Sequence, residues 1–160
     1  MPLRIGCIAD DFYRARPTAH AVVHTHSTHA AAVSCLNDVD PADALPPLTA
    51  YYAMRVGTLP LLPYHPPGDD RLGPLAERTA RTHRAVLLAN HGPVVAGASL
   101  EQAADATEEL EETAKLHLLL QGHRTRPLTP EQAAVLAPNP LDGRTGVSTP
   151  ALSLTAEETP

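Results

Sequence analysis

The stretch Ala21-Val22-Val23-His24-Thr25-His26-Ser27-Thr28-His29, which continues as AAAVSCL to Leu36, decides how the chain is read. Three apolar residues, two of them β-branched, lead into two histidines spaced i, i+2. On an extended strand, side chains two apart point to the same face. The spacing predicts a strand over residues 21–26 whose end projects His24 and His26 together, as two ligands of one metal ion must be. Ser27 stands where a helix N-cap belongs, and the alanine-rich run predicts a helix over residues 28–36 that enters the core.

A metal centre needs more than two ligands. A zinc site takes three or four nitrogen, oxygen or sulfur donors, and a catalytic one keeps a position open. Residues 84–89 (RAVLLA) are a continuous apolar run, which predicts a strand covered on both faces. The run ends at Asn90-His91-Gly92-Pro93, a turn that exposes a side chain where a buried strand stops. His91 is therefore the best third candidate beside His24 and His26. His29 offers a different completion, because HTHSTH resembles the HxHxxH of metallo-β-lactamase-type hydrolases. Thr28, where those enzymes carry Asp, disfavours it. An amidohydrolase barrel also opens on HxH, but 160 residues do not supply its eight βα units. His20, His65, His83, His117 and His123 have no partner spacing and are read as surface residues.

The remaining elements follow from local signals. Residues 3–9 are β-like, and any helix after Phe12 stops near Arg16, ahead of Pro17. Residues 37–47 read as a polar loop with Asp38, Asp40 and Asp43 solvated. Residues 48–56 suit a short helix ended by Gly57. Residues 59–64 read as a strand whose two prolines favour a sheet edge. Asp69 is placed to cap a helix over residues 70–83, with Gly73-Pro74 disturbing its first turn. Ser99 and Gln102 fit a capping box. Behind them Leu100, Ala103, Ala104, Thr107, Leu110, Ala114 and Leu118 form one helical stripe, and Gly122 fits its C′ position. Glu108, Glu109, Glu111 and Glu112 read as a solvated face. Thr129 and Pro130 open a last short helix to residue 136.

Composition narrows the function classes. The chain is 43% hydrophobic, enough for one domain's core, yet it has no Trp, one Phe and four Tyr, so that core is built from Ala, Val and Leu. A net charge of −6 with only 12 Lys plus Arg argues against a nucleic-acid partner. No apolar run approaches the roughly 18–20 residues of a membrane span, so no membrane partner is expected. Residues 1–12 lack the h-region of a signal peptide. Cys7 and Cys35 make no disulfide framework. The cytoplasm is the expected compartment.

These segments resemble a known family. AVVHTHSTHAAAVSCL, LPPLTAYYAMRVGTLPLLPY and above all LLANHGPVVAGASLEQAADATEELEETAKLHLLL are similar to the class II aldolase/adducin family, over residues 13–136. The resemblance implies an α/β fold, a three-layer α/β/α domain around a mostly antiparallel sheet. It implies a divalent metal ion, usually zinc, and a cytosolic homo-oligomer, a tetramer with active sites between subunits. It puts the family's three metal histidines at His24, His26 and His91. HSTH, LPPLT-YY and ATEELEETAKL most resemble the 3-oxo-tetronate 4-phosphate decarboxylase branch. The implied activity is that of a metal-dependent carbon–carbon lyase acting on a small phosphorylated sugar acid. Its reaction converts 3-oxo-tetronate 4-phosphate to dihydroxyacetone phosphate and CO2 through a metal-stabilised enediolate. The alternatives are a sugar-phosphate aldolase and a catalytically impaired domain that binds metal or oligomerises, as adducin-type members do.

The sequence also departs from the family. A longer segment precedes the HxH strand there, with a Gly- and Ser-containing loop for the substrate phosphate and an acidic residue, usually Glu, that serves as metal ligand or acid/base. About Ile5 stands where that Glu would align, and Asp10 and Asp11 are out of register, so the catalytic acid is unassigned. The domain is expected to be incomplete at its N-terminus. Uncovered sheet edges and helix faces would then favour aggregation or a partner. RIGCIADDF resembles the opening strand of the four-carbon acid sugar kinase family. That implies a kinase-like remnant over residues 1–12, joined by a deletion between neighbouring genes to a partial class II aldolase domain over 13–136. Residues 137–160, rich in Pro, Gly, Ser and Thr, are expected to be a disordered tail.

Overall fold

The computed structural model describes residues 6–137. In chain order the elements are α1 (Gly6–Ala15), β1 (Ala21–His24), α2 (Thr28–Ser34), α3 (Ala50–Arg55), β2 (Leu61–Leu62), α4 (Leu72–Ala80), β3 (Ala85–Leu88), β4 (Gly92–Gly97), α5 (Leu100–Leu119) and α6 (Pro130–Leu136). The strands form one open sheet in the order β1-β4-β3-β2. The β1/β4 and β3/β4 pairings are antiparallel and β2/β3 is parallel, so the expected mostly antiparallel sheet forms.

Alternation along the two central strands sorts the interior into two cores. Ala85, Leu87 and Val95 pack with Ala30 and Val33 of α2, Tyr52 of α3, and Ala106, Leu110 and Ala114 of α5. Val86, Leu88, Val94 and Ala96 face the other way, against Phe12 of α1 and Ala76 and Ala80 of α4. Helices on both faces of one sheet give the three layers. All of β3 is buried, which accounts for an apolar run without alternation. Each fully buried leucine, such as Leu87 or Leu110, contributes about 1.5–3 kcal/mol. β2 is an edge strand, as its neighbouring prolines require, and the Pro60 carbonyl accepts from the Leu87 amide at 2.8 Å.

Several expectations are corrected. Residues 6–9 are helical, not β-like; Leu3, Arg4 and Ile5 lie outside the described residues. Ile8, Phe12 and Ala15 recur at helical spacing and pack beside α4 residues, so tertiary burial overrides the local β composition. The expected tail, beyond Ala137, also lies outside the described residues. β1 ends at His24, so His26 sits just past the strand. Asp43 is half-buried rather than solvated, and its Oδ1 accepts the Leu59 amide N–H at 3.0 Å. On α5, Leu100 and Ala104 are exposed, while Ala106 and Thr113 join the buried stripe. Ser99 does cap α5, its side chain accepting from the Gln102 amide. Gly122, at φ 79°, lies two residues past the C-cap Leu120 rather than one.

Gly92 controls how closely β4 approaches the end of β1, because an added Cβ there would collide with the Thr25 carbonyl oxygen. Gly92→Ala is expected to destabilise the fold by about 2 kcal/mol or more, read by urea denaturation. An unchanged unfolding midpoint would contradict this packing.

Candidate metal centre

β1 and β4 run antiparallel with His24 opposite Val94, so the last residue of β1 lies beside the start of β4. The β3–β4 turn, Ala89-Asn90-His91, delivers its histidine immediately before β4. Three imidazoles meet as a result. His26 Nε2 lies 2.8 Å from His91 Nε2, and His24 Nε2 lies 3.3 Å from the same atom. The ring centroids are 5.0, 4.9 and 4.7 Å apart. Among the described residues, this is the one group of three or more His, Cys, Asp or Glu side chains gathered tightly enough to hold a metal ion. The trio expected from the sequence is thus brought together. His29, the rival third ligand, instead turns its Nδ1 to Glu111 at 2.8 Å. His20 and His123 are exposed, and His65 pairs locally with Asp69 at 3.1 Å.

The donor set fits a divalent ion. Tetrahedral zinc with Zn–N bonds of about 2.0–2.1 Å sets neighbouring nitrogens about 3.3 Å apart. The His24–His91 spacing of 3.3 Å meets this, and the 2.8 Å pair has to open by about 0.5 Å. His24 Nδ1 lies 2.8 Å from the Pro93 carbonyl oxygen. A carbonyl only accepts, so Nδ1 carries the proton and the Nε2 lone pair faces the other two rings. Converging lone pairs repel unless a cation or proton lies between them, and a bound ion removes that repulsion. Three protein ligands leave one tetrahedral position open.

Burial lowers the pKa of His24, with the charge of His26 adding to it and the Pro93 hydrogen bond opposing it. Burial likewise lowers His91, helped by His24 and His26. Both rings are therefore held towards the neutral, metal-binding form. His26 is the exposed member of the trio, so the centre is open to solvent on that side.

The backbone around the trio is fixed from α2. Asn90 adopts φ 56°, a left-handed conformation that asparagine tolerates. Its amide donates to the Ser34 carbonyl at 3.1 Å, and the His91 amide donates to Ser34 Oγ at 3.2 Å. Ser27 occupies the N-cap of α2 but makes no side-chain cap bond. Glu111 of α5 makes those bonds, accepting the His29 amide at 2.9 Å and the Ala30 amide at 2.8 Å. The expected solvated acidic face of α5 is corrected accordingly. Glu111 is engaged at α2 and Glu109 accepts from Thr49 Oγ1 at 3.0 Å, while Glu108 and Glu112 stay exposed. Helical phase carried a partial signal, since Glu111 follows buried Thr107 by one turn.

The model of the class II aldolase and adducin N-terminal domain matches residues 11–118. The chain belongs to the class II aldolase and adducin family. Among relatives, a 3-oxo-tetronate 4-phosphate decarboxylase of Pectobacterium atrosepticum is 50% identical over 125 residues, covering 78% of this chain and 57% of the relative. One of the same name from Haemophilus influenzae is 50% identical over 117 residues, covering 73% and 56%. The chain therefore spans little more than half the length of these family members. Among solved structures, Escherichia coli YgbL, described as a putative aldolase/epimerase/decarboxylase, superposes with a TM-score of 0.80 at 45% identity, covering 83% of this chain and 64% of that one. An L-fuculose 1-phosphate aldolase follows at a TM-score of 0.69 and 28% identity, covering 78% and 57%. Among the described residues no helix is long and apolar enough to cross a membrane.

The lowered pKa values predict how the metal-free protein responds to acid. Unfolded histidine takes up its proton near 6.5, above the folded values of His24 and His91. The unfolded state therefore binds more protons in the window below 6.5, and stability falls as pH drops through it. Thermal melts of metal-free protein between about pH 7.5 and pH 5.5 are expected to show that loss, reduced in His24→Gln/His91→Gln. A melting temperature that rises on acidification through this window would contradict it.

Proposed function

We propose that this chain carries the metal centre of a carbon–carbon lyase acting on a small phosphorylated sugar acid, with decarboxylation of 3-oxo-tetronate 4-phosphate as its reaction. The observation that carries the reading is the convergence of the His24, His26 and His91 Nε2 atoms at the β1 end and the β3–β4 turn. Half-identity to proteins named for that decarboxylation supports the substrate class. Zinc is the proposed ion because three imidazoles and an open position suit it.

When bound, such an ion supplies a Lewis acid that polarises the carbonyl β to the departing carboxylate. The protein's own residues prepare the place for it. Pro93 fixes the His24 tautomer, Ser34 fixes the His91 backbone, and partial burial of both rings weakens the competition from protons. The exposed His26 side leaves an approach for substrate. Loss of CO2 requires no base to remove a substrate proton, only a proton to reach carbon afterwards. That suits a centre whose three clustered side chains all serve as ligands. A cytoplasmic homo-oligomer, tetrameric as the family implies, belongs to the proposal.

Purified protein loaded with one zinc per chain is expected to release CO2 from 3-oxo-tetronate 4-phosphate. His91→Ala should lower both zinc affinity and turnover by about 100-fold or more, since even residues behind a ligand are worth 10–100-fold. Zinc-loaded protein without turnover would leave a metal-binding domain instead. Cleavage of a ketose phosphate in place of decarboxylation would favour the aldolase.

A further inference from the structure

Glu111 and Ser34 grip opposite ends of α2, and each end leads directly to a metal-site histidine. At the N-terminal end, Glu111 Oε1 accepts the His29 amide at 2.9 Å and His29 Nδ1–H at 2.8 Å, while Oε2 accepts the Ala30 amide at 2.8 Å. The first amides of a helix have no partner within it, so this carboxylate satisfies groups that Ser27 leaves open. Burial pushes the Glu111 carboxyl up, but the His29 and Ala30 hydrogen bonds outweigh it and hold the group ionised below its ordinary value. His26 lies one residue before the N-cap Ser27, so its backbone leads straight into the gripped turn.

At the other end, buried Ser34 binds the His91 turn twice, through its carbonyl to the Asn90 amide and through Oγ to the His91 amide. Its own hydroxyl proton goes to the Ala31 carbonyl at 2.7 Å, which leaves the oxygen lone pairs to accept. α2 is therefore a strut of seven residues, about 10 Å long, with one ligand at its start and another held at its finish.

We infer that Glu111 is a positioning residue of the metal centre, which with Ser34 uses α2 to set the spacing of His26 and His91. The inference rests on the metal-ligand reading above, and goes beyond it by making a residue of α5 part of the centre's support. Groups behind a ligand govern affinity because they fix ligand orientation before the ion arrives. A carboxylate that only stabilised the fold would leave the affinity of the folded protein alone.

The test measures zinc affinity of folded, metal-free protein by competition with a chromophoric chelator, and records the visible spectrum of the cobalt-substituted form. Glu111→Gln and Ser34→Ala are each expected to weaken zinc binding about 10–100-fold and to change the cobalt bands. Glu112→Gln, at the exposed neighbouring position, is expected to change neither. A lowered melting temperature with wild-type zinc affinity and cobalt spectrum in both variants overturns the inference. Should Glu111→Gln fail to fold, Ser34→Ala and His29→Ala decide in the same way, the latter removing one of the three Glu111 bonds. Wild-type protein that binds no zinc overturns the metal reading itself, a different result from unaltered variants.

Discussion

The ladder between Ala21–His24 and Gly92–Gly97 brings together two histidines 67 positions apart, and the centre depends on its register. A slip of β1 by one residue would send His24 to the opposite face of the sheet and take Val22 away from the core it covers. Two features hold the register. Val94 and Val95 are buried in opposite cores, and the β4 backbone meets the Thr25 carbonyl where only a glycine fits. The Pro93 carbonyl then serves both structure and chemistry, accepting from the Thr25 amide at 3.4 Å and from His24 Nδ1 at 2.8 Å. Strand pairing and the His24 tautomer are set by the same atom.

α5 is the second organising element. Its buried stripe of Ala103, Ala106, Leu110 and Ala114 lies against the sheet, and its acids reach sideways to the helices beside it. Glu109 holds the threonine that caps α3, and Glu111 holds the start of α2. Hydrogen bonds to an ionised group contribute about 1.5–3 kcal/mol when buried, and less at the partial exposure of Glu111. Their larger consequence is geometric. A short helix that would fray alone is pinned at both ends.

The parts legible in the sequence are those with local signatures. The His24/His26 spacing, the apolar RAVLLA strand running into Asn90-His91-Gly92-Pro93, and the Ser99 and Thr129 caps each announce themselves within a few residues. The parts misread depend on partners distant in the chain. Residues 6–9 look β-like until α4 supplies the surface that Ile8 and Phe12 cover as a helix. Asp43 looks solvated until the Leu59 amide appears above it. Glu111 sits in a run of four similar acids, and only the fold shows that its oxygens meet two open amides of α2. The three histidines could be found by reading along the chain, whereas the groups that hold their backbone required reading across it.

Whether one ion sits among these three imidazoles is read by X-ray absorption at the zinc edge of the loaded protein. Three imidazole nitrogens at about 2.0–2.1 Å are expected, with one further oxygen or nitrogen donor completing the shell. A sulfur scatterer at about 2.3 Å, implicating a cysteine, or fewer than three imidazoles per zinc, would contradict it.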